Sequence, residues 1–204
     1  MKSNIILSSA VAVLVSVAGA NAMEYRPFVG ATIGLQGSVY SDSAKDIERA
    51  NHMDLPTDFF MFGVESGVHF GEYNQIYNGG FTLHATKTTY SKAQDKFSDK
   101  RFASLDLFNL SASYDNYIRI SGDKASRIDL VLGVGFGMMA FHADVSGGDS
   151  ETRWSVAPEF KAGMDFELTH NVTLSANARA IIPTRSDYEY DMSYIVGGTV
   201  KYVF

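Results

Sequence analysis

The 204-residue chain carries 17 lysines and arginines against 23 acidic residues, a formal net charge of −6, and no cysteine. An acidic balance with no basic stripe excludes a nucleic-acid binder, and the lack of thiols excludes disulfide staples, thiolate metal centres and a lipid-modified N-terminal cysteine. The 18 glycines, 14 phenylalanines and 11 tyrosines suit a sheet protein, and the length suits one domain.

The chain opens "MKSNIILSSAVAVLVSVAGANA": an early lysine, an apolar run, then Ala20-Asn21-Ala22, the small-x-small pattern that signal peptidase cuts. Residues 1–22 are therefore expected to be a cleaved secretory signal and residues 23–204 the mature domain. Losing Lys2 leaves 16 basic against 23 acidic residues, a net charge of −7. No later segment has the ~20 apolar residues of a spanning helix, so any membrane role falls to strands.

Eight alternating segments follow. The first, from Tyr25 to about Gln36, sets Pro27, Val29, Ala31, Ile33 and Leu35 against Gly30, Thr32, Gly34 and Gln36. The second, near Phe59 to Gly71, sets Phe60, Phe62, Val64, Val68 and Phe70 against Gly63, Glu65, Gly67 and His69. In the third, near Tyr77 to Tyr90, Tyr77, Phe81, Leu83 and Ala85 oppose Asn78, Gly80, Thr82, His84 and Thr86. The fourth starts near Phe102. Its later half, Phe108, Leu110, Ala112 and Tyr114 against Asn109, Ser111 and Ser113, has a clear phase, but "RFASLDLF" suits either phase and is a place for a bulge.

The fifth, near Arg127 to Phe141, faces out with Ile128, Leu130, Leu132, Val134, Phe136 and Met138, and in with Gly133, Gly135 and Gly137. In the sixth, Trp154, Val156, Pro158, Phe160, Ala162, Met164, Phe166 and Leu168 alternate with Arg153, Ser155, Glu159, Lys161, Asp165 and Glu167, a second set too charged for a soluble core strand. The seventh, Val172 to Ile182, alternates aliphatic residues with Thr173, Ser175, Asn177 and Arg179. The eighth runs to the end of the chain: Tyr188, Tyr190, Met192, Tyr194, Val196, Val200, Tyr202 and Phe204 oppose Glu189, Asp191, Ser193, Thr199 and Lys201.

Each segment reaches the ~9–11 residues a tilted strand needs to cross hydrocarbon, and an even count lets first and last strands pair so that no edge meets lipid. The expected fold is all-β: a closed, antiparallel, eight-stranded, transmembrane up-and-down barrel. Connector lengths agree if the N-terminus starts in the periplasm, except that the last outer connector, Pro183 to Asp187, is short. The longest connector, Gly37 to Asp58, then lies outside, while "EYNQI" and "THN" are tight inner turns. "DNYIRISGDKAS" is too long for an inner turn unless the fourth strand extends into it.

With its signal peptide, eight amphipathic strands, aromatic strand ends and terminal Phe204, the chain resembles the small outer-membrane β-barrels of the opacity-protein and outer-membrane-protein-A transmembrane-domain type. The resemblance covers the mature chain and is architectural. It implies that Val200, Tyr202 and Phe204 form the C-terminal signal read by the barrel-assembly machinery. It also implies outer-membrane lipids and lipopolysaccharide as surroundings, host surface proteins as partners, a monomer, and a structural or adhesive role. Trp154, Tyr188, Tyr190 and Tyr194 are expected as interfacial anchors.

The inward charges Glu65, Glu159, Lys161, Asp165, Arg179, Asp191 and Lys201 form the sharpest constellation. A tight turn over Pro183 to Asp187 would set Arg179 opposite Asp191, and "THN" would set Lys161 opposite Arg179. In a lumen just wide enough for side chains, such groups are expected to plug the barrel with ion pairs, the alternative being a narrow pore. Because related small barrels include lipid A acyltransferases and deacylases, His84 with Thr86 and Glu65, and His142 with Asp144 and Ser146, are the catalytic candidates, each more simply read as a lumen or loop residue. No cofactor or metal is expected: His52 with Asp54, and Asp144 with Asp149, lack an ordered ligand set. The first loop, from Ser38 to Thr57, is the candidate recognition element, with Ser43 to Met53 able to form a short helix capped by Ser43.

Overall fold

A strand whose side chains alternate between two environments must separate them, and in this chain eight such strands do so by closing on themselves. The computed structural model describes residues 24–40, 42, 45, 58–72, 75–90, 102–122, 127–145, 151–184 and 190–204. Its strands are β1 (Tyr25–Tyr40), β2 (Asp58–Phe70), β3 (Tyr77–Tyr90), β4 (Phe102–Ser121), β5 (Ile128–Val145), β6 (Glu151–Thr169), β7 (Val172–Ile181) and β8 (Tyr190–Val203). Each pairs antiparallel with its neighbours in sequence, and β8 closes on β1, giving one closed barrel. The segment 1–22 lies outside the described residues.

The wall obeys the two-residue period throughout. Ile33, Phe60, Phe81, Leu110, Phe136, Val156, Phe160, Val196 and Val200 stand outward and exposed, whereas Thr32, Glu65, Thr82, Ser113, Lys161, Ser175 and Thr199 on the opposite face are buried. This inverts a soluble sandwich and suits a lipid solvent outside. Among the described residues no helix is long and apolar enough to cross a membrane.

Two strand details differ from the alternation alone. β4 runs on through Ser121, with register shifts between Phe102 and Ser104 and between Arg119 and Ser121. This absorbs most of the long inner connector and sets the phase of the strand, with Asn109, Ser111, Ser113 and Asp115 facing in. Connectors at one end of the barrel are then short, 71–76, 122–127 and 170–171, and those at the other include 41–57 and 91–101. Gly71 and Gly122 take positive φ (124° and 99°) where β2 and β4 leave the wall at the short-turn end, a conformation open to glycine.

Candidate functional site: the charged lumen

The mid-barrel lumen is built by strands far apart in sequence. Lys201 on β8 sits 1% exposed, its Nζ 2.8 Å from Asp165 Oδ2 on β6 and 3.5 Å from Glu65 Oε1 on β2. Lys161 on β6 donates to Asp115 Oδ2 on β4 at 2.8 Å, and Asp115 also accepts from Thr82 and Ser113. Arg179 Nη1 on β7 lies 3.6 Å from Glu159 Oε1, whose other oxygen accepts from Ser111 Oγ at 2.7 Å. Ser175 Oγ donates to Asp165 at 2.6 Å. Each carboxylate therefore faces a cation, as charges buried this deeply require.

The two ends of this polar tier are closed differently. Toward the long connectors lies an apolar cluster on the inner face: Tyr40, Phe59, Met61, Leu107, Met139, Ala157, Ile181 and Ile195, all buried. Toward the short turns, His69 is stacked between Phe28 and Tyr117, with ring centroids at 4.7 and 4.3 Å, and Lys201 Nζ lies 5.2 and 5.9 Å from the Phe28 and Tyr117 centroids. Below the stack, Arg127 Nε donates to both oxygens of Asp129, at 2.7 and 2.6 Å. In the orientation that satisfies its amide, Asn78 Oδ1 accepts from Arg127 Nη2 at 2.6 Å.

Of the seven charges expected in the lumen, six lie there: Glu65, Glu159, Lys161, Asp165, Arg179 and Lys201 are all buried. Lys161 stands opposite Arg179, as the "THN" turn implies. The expected Arg179–Asp191 pairing is corrected: Arg179 stands opposite Ile195, and Asp191 is exposed at the loop end of β8. The slip is four residues along β8, from 191 to 195. It arises because residues 182–184 do not turn but continue along β6, where the backbone N–H groups of Ile182 and Thr184 donate to the carbonyls of Pro158 and Val156. Asp115, absent from the expected set, is a full member of the network; the inward run Asn109, Ser111, Ser113 points to it two residues further on.

Among the aromatic positions, Trp154, Tyr194, Tyr202 and Phe204 stand outward and exposed, and Val200 with them. Phe204 packs edge-on against Tyr202 with centroids 5.1 Å apart, and its N–H donates to Pro27 at 2.9 Å. Tyr188 lies outside the described residues, as do Ser43, 46–57, Ser146 and Asp149, and so does most of the candidate loop helix; Tyr190 is described as strand.

One constellation has the look of hydrolytic machinery. His84 Nδ1 lies 3.3 Å from Glu65 Oε2 and its Nε2 lies 3.4 Å from Ser113 Oγ. Ser113, however, gives its hydroxyl hydrogen to Asp115 (2.9 Å), so toward the imidazole it can only accept, whereas a nucleophile must donate its proton to the base. Glu65, His84 and Ser113 are each at most 3% exposed, between the two closures. Thr86, the sequence candidate beside His84, makes no hydrogen bond to it among the described residues. Among the described residues no cluster of three or more metal-ligating side chains occurs.

The model of the outer membrane protein beta-barrel domain family matches residues 10–204. The chain belongs to that family. Two solved barrels share the fold. Neisserial surface protein A, from Neisseria, is 14% identical, with a TM-score of 0.55 over 90% of this chain and 100% of its own. Ail, the attachment invasion locus protein of Yersinia pestis, is 15% identical, with a TM-score of 0.52 over 89% of this chain and 99% of its own. No curated protein sequence matches the chain. The exposed apolar wall thus faces the hydrocarbon of a bacterial outer membrane, and the family barrel is an integral protein of that membrane.

Proposed function

We propose that this barrel is a non-catalytic, non-conducting surface protein that serves envelope integrity and adhesion through its long connectors. The observation that carries this reading is the double closure of the lumen: an apolar cluster at the loop end and the Phe28–His69–Tyr117 stack at the other, with ion pairs between. An ion entering would have to break buried pairs and shed water against apolar side chains, which opposes conduction. The lumen charges then act as a plug. Recognition falls to residues outside the wall, chiefly the 41–57 connector. Ail, of like fold, is an attachment invasion locus protein, which accords with an adhesive role here.

Within this reading Val200, Tyr202 and Phe204 are the assembly signal recognised by the barrel-assembly machinery. Trp154, Tyr190 and Tyr194, with Tyr188, anchor the barrel in the headgroup layer among lipopolysaccharide and phospholipid, and the protein works as a monomer. The signal segment 1–22 is removed on export, leaving 23–204 as the barrel domain.

Cells displaying the full chain, compared with cells in which residues 41–57 are replaced by a tight turn, test the proposal, with gel mobility before and after boiling confirming folded barrels. Binding to host matrix or serum proteins should fall with the shortened loop. Equal binding by both would reject the loop as the recognition element. Discrete conductance in a planar bilayer would replace this reading with a narrow channel.

A second reading, lipid A modification, has one observation in its favour: His142 Nδ1 lies 2.7 Å from Thr152 Oγ1 toward the loop end of the wall. Altered lipid A acylation on deleting the gene would support it.

A further inference from the structure

We propose that the short-turn mouth of the barrel is a binding site for an α-amino-acid zwitterion, which sets its ammonium group in the pocket walled by His69, Asp129 and Asp165 and leaves its carboxylate on the rim beside Arg26 and His170. The pocket opens outward from the barrel. His170, on the 170–171 turn, belongs to its wall and is exposed, while at the back the His69 ring, held between Phe28 and Tyr117, closes the way further in.

The back wall has an unmet atom. His69 is 8% exposed, and among the described residues its Nε2 has no hydrogen-bonding partner. Buried polar atoms almost always have one, so a bare ring nitrogen on a pocket wall points to a bound group. The side wall points the same way. Asp129 stands directly opposite Asp165 across β5 and β6, and like charges so placed repel. Arg127 holds Asp129 and Lys201 holds Asp165, yet each carboxylate keeps lone pairs to spare. A group with several N–H donors between the two carboxylates would relieve their repulsion, and has a further hydrogen for Nε2 in the tautomer whose ring proton is on Nδ1.

Size and charge select the ligand. The pocket has about 10 Å³ of room for the centre of a water-sized group, enough for a single heavy atom with its hydrogens. An ammonium nitrogen is that size and a carboxylate is not. Charge in the mouth is already balanced, because Arg26, Arg127 and the Lys201 behind Asp165 match Asp129, Asp165 and Glu167. A lone cation would upset that balance, whereas a ligand with an anion beside its ammonium keeps it. In an α-amino acid a single carbon separates the two groups, so with the nitrogen inside, the carboxylate lies at the rim. There Arg26, opposite His69 across β1 and β2, and His170 offer donors. The remaining substituent of the α-carbon points out of the mouth, so the same chemistry takes a free amino acid or the zwitterionic end of a larger molecule.

The test is a titration of the isotope-labelled mature barrel in lipid nanodiscs with glycine, followed by nuclear magnetic resonance at the backbone amides of Thr173 and Val203, which border the pocket, and of Ser193 at the loop end. Saturable shifts are expected at Thr173 and Val203 and none at Ser193. Methylammonium and acetate, each one half of glycine, should bind roughly tenfold more weakly or worse, since each forfeits one set of charged hydrogen bonds. Nε-acetyl-lysine, whose tail must project from the mouth, should bind within about threefold of glycine. Arg26→Gln should weaken glycine about fivefold and leave methylammonium unchanged, and His69→Phe, which keeps a stacked ring and removes the nitrogen, should weaken both. Gel mobility checks that each variant is folded. Glycine without saturable shifts overturns the proposal. So does acetate or methylammonium binding as tightly as glycine, which would make the mouth a simple ion site, and so does unchanged glycine binding in both folded variants. Loss of binding with Nε-acetyl-lysine would place the whole zwitterion inside and overturn it as well.

Discussion

Replacing Lys201 with methionine removes a charge and keeps most of the stem, so it isolates the electrostatic part of the plug. Its Nζ lies 2.8 Å from Asp165 and 3.5 Å from Glu65, which at an effective dielectric of about 20 is a gross attraction of roughly 5 kcal/mol for each pair. Desolvating the ammonium offsets much of that gain. What the substitution leaves is two buried carboxylates, Asp165 held by Ser175 and Glu65 by His84, with no cation between them. Breaking a buried pair from one side costs about 3–5 kcal/mol, and that is the expected loss in unfolding free energy. Urea unfolding of the folded barrel in micelles, followed by the fluorescence of Trp154, the only tryptophan, reads it directly. Adding Asp165→Asn to Lys201→Met removes one of the stranded charges and should recover part of the loss, with a coupling of at least about 1 kcal/mol. A Lys201→Met barrel within about 0.5 kcal/mol of wild type would refute the reasoning, as would strict additivity in the double variant.

Three further outcomes are expected. Asp191→Asn should leave stability within about 0.5 kcal/mol, whereas Glu159→Gln, which deprives Arg179 of its carboxylate, should cost about 2–4 kcal/mol in the same urea assay. Gly37→Ala should cost about 1–3 kcal/mol in thermal or urea unfolding, because a Cβ there would collide with the Tyr194 ring across the β1–β8 seam. Deleting Phe204 should reduce the folded barrel recovered from outer membranes several-fold while leaving refolding into detergent intact; an equal fall in both would make Phe204 a stability residue and not an address.

The barrel was legible in the sequence because lipid outside and charge inside sharpen a period of two, and β6 shows it best with Phe160 beside Lys161 and Asp165 one step from Met164. Legibility failed where that contrast vanishes. At the loop ends of the strands the inner face turns apolar, so "DFFMFG" gives Phe59, Phe60, Met61 and Phe62 in a row, and alternation says nothing about the buried cluster that Phe59 and Met61 help to form. The loss of period at a strand end was itself the available signal. Register failed for another reason. A hairpin estimate needs the turn, and residues 182–184 spend themselves along β6 before any turn begins, which moved Arg179 from Asp191 to Ile195. Of the partners Arg179 and Lys161 do have, Glu159 lies one diagonal step from Arg179 across the β6–β7 hairpin, which the "THN" register already implies, whereas Asp115 lies two strands from Lys161 across Gly133, a proximity that no single hairpin spacing encodes.

Why the lumen is charged at all follows from the solvents the chain must cross. An apolar interior would avoid the desolvation cost of the buried pairs, and replacing such pairs by packed hydrophobic side chains is often neutral or stabilising. Each strand, however, already shows one apolar face to lipid, so an apolar second face would make it hydrophobic on every residue. β5 and β6 have 18 and 19 residues; wholly apolar, each would match the length that the export machinery inserts as a membrane helix. Charge and hydroxyl on alternate positions keep mean hydropathy at −0.05 and let the unfolded chain pass through water on its way to the outer membrane. The ion pairs are thus best understood as a requirement of transit that folding then neutralises, which is why Glu65, Asp115, Glu159 and Asp165 of the mid-barrel tier each end within 3.6 Å of a cation. Stability has its own source in the closed backbone ladder.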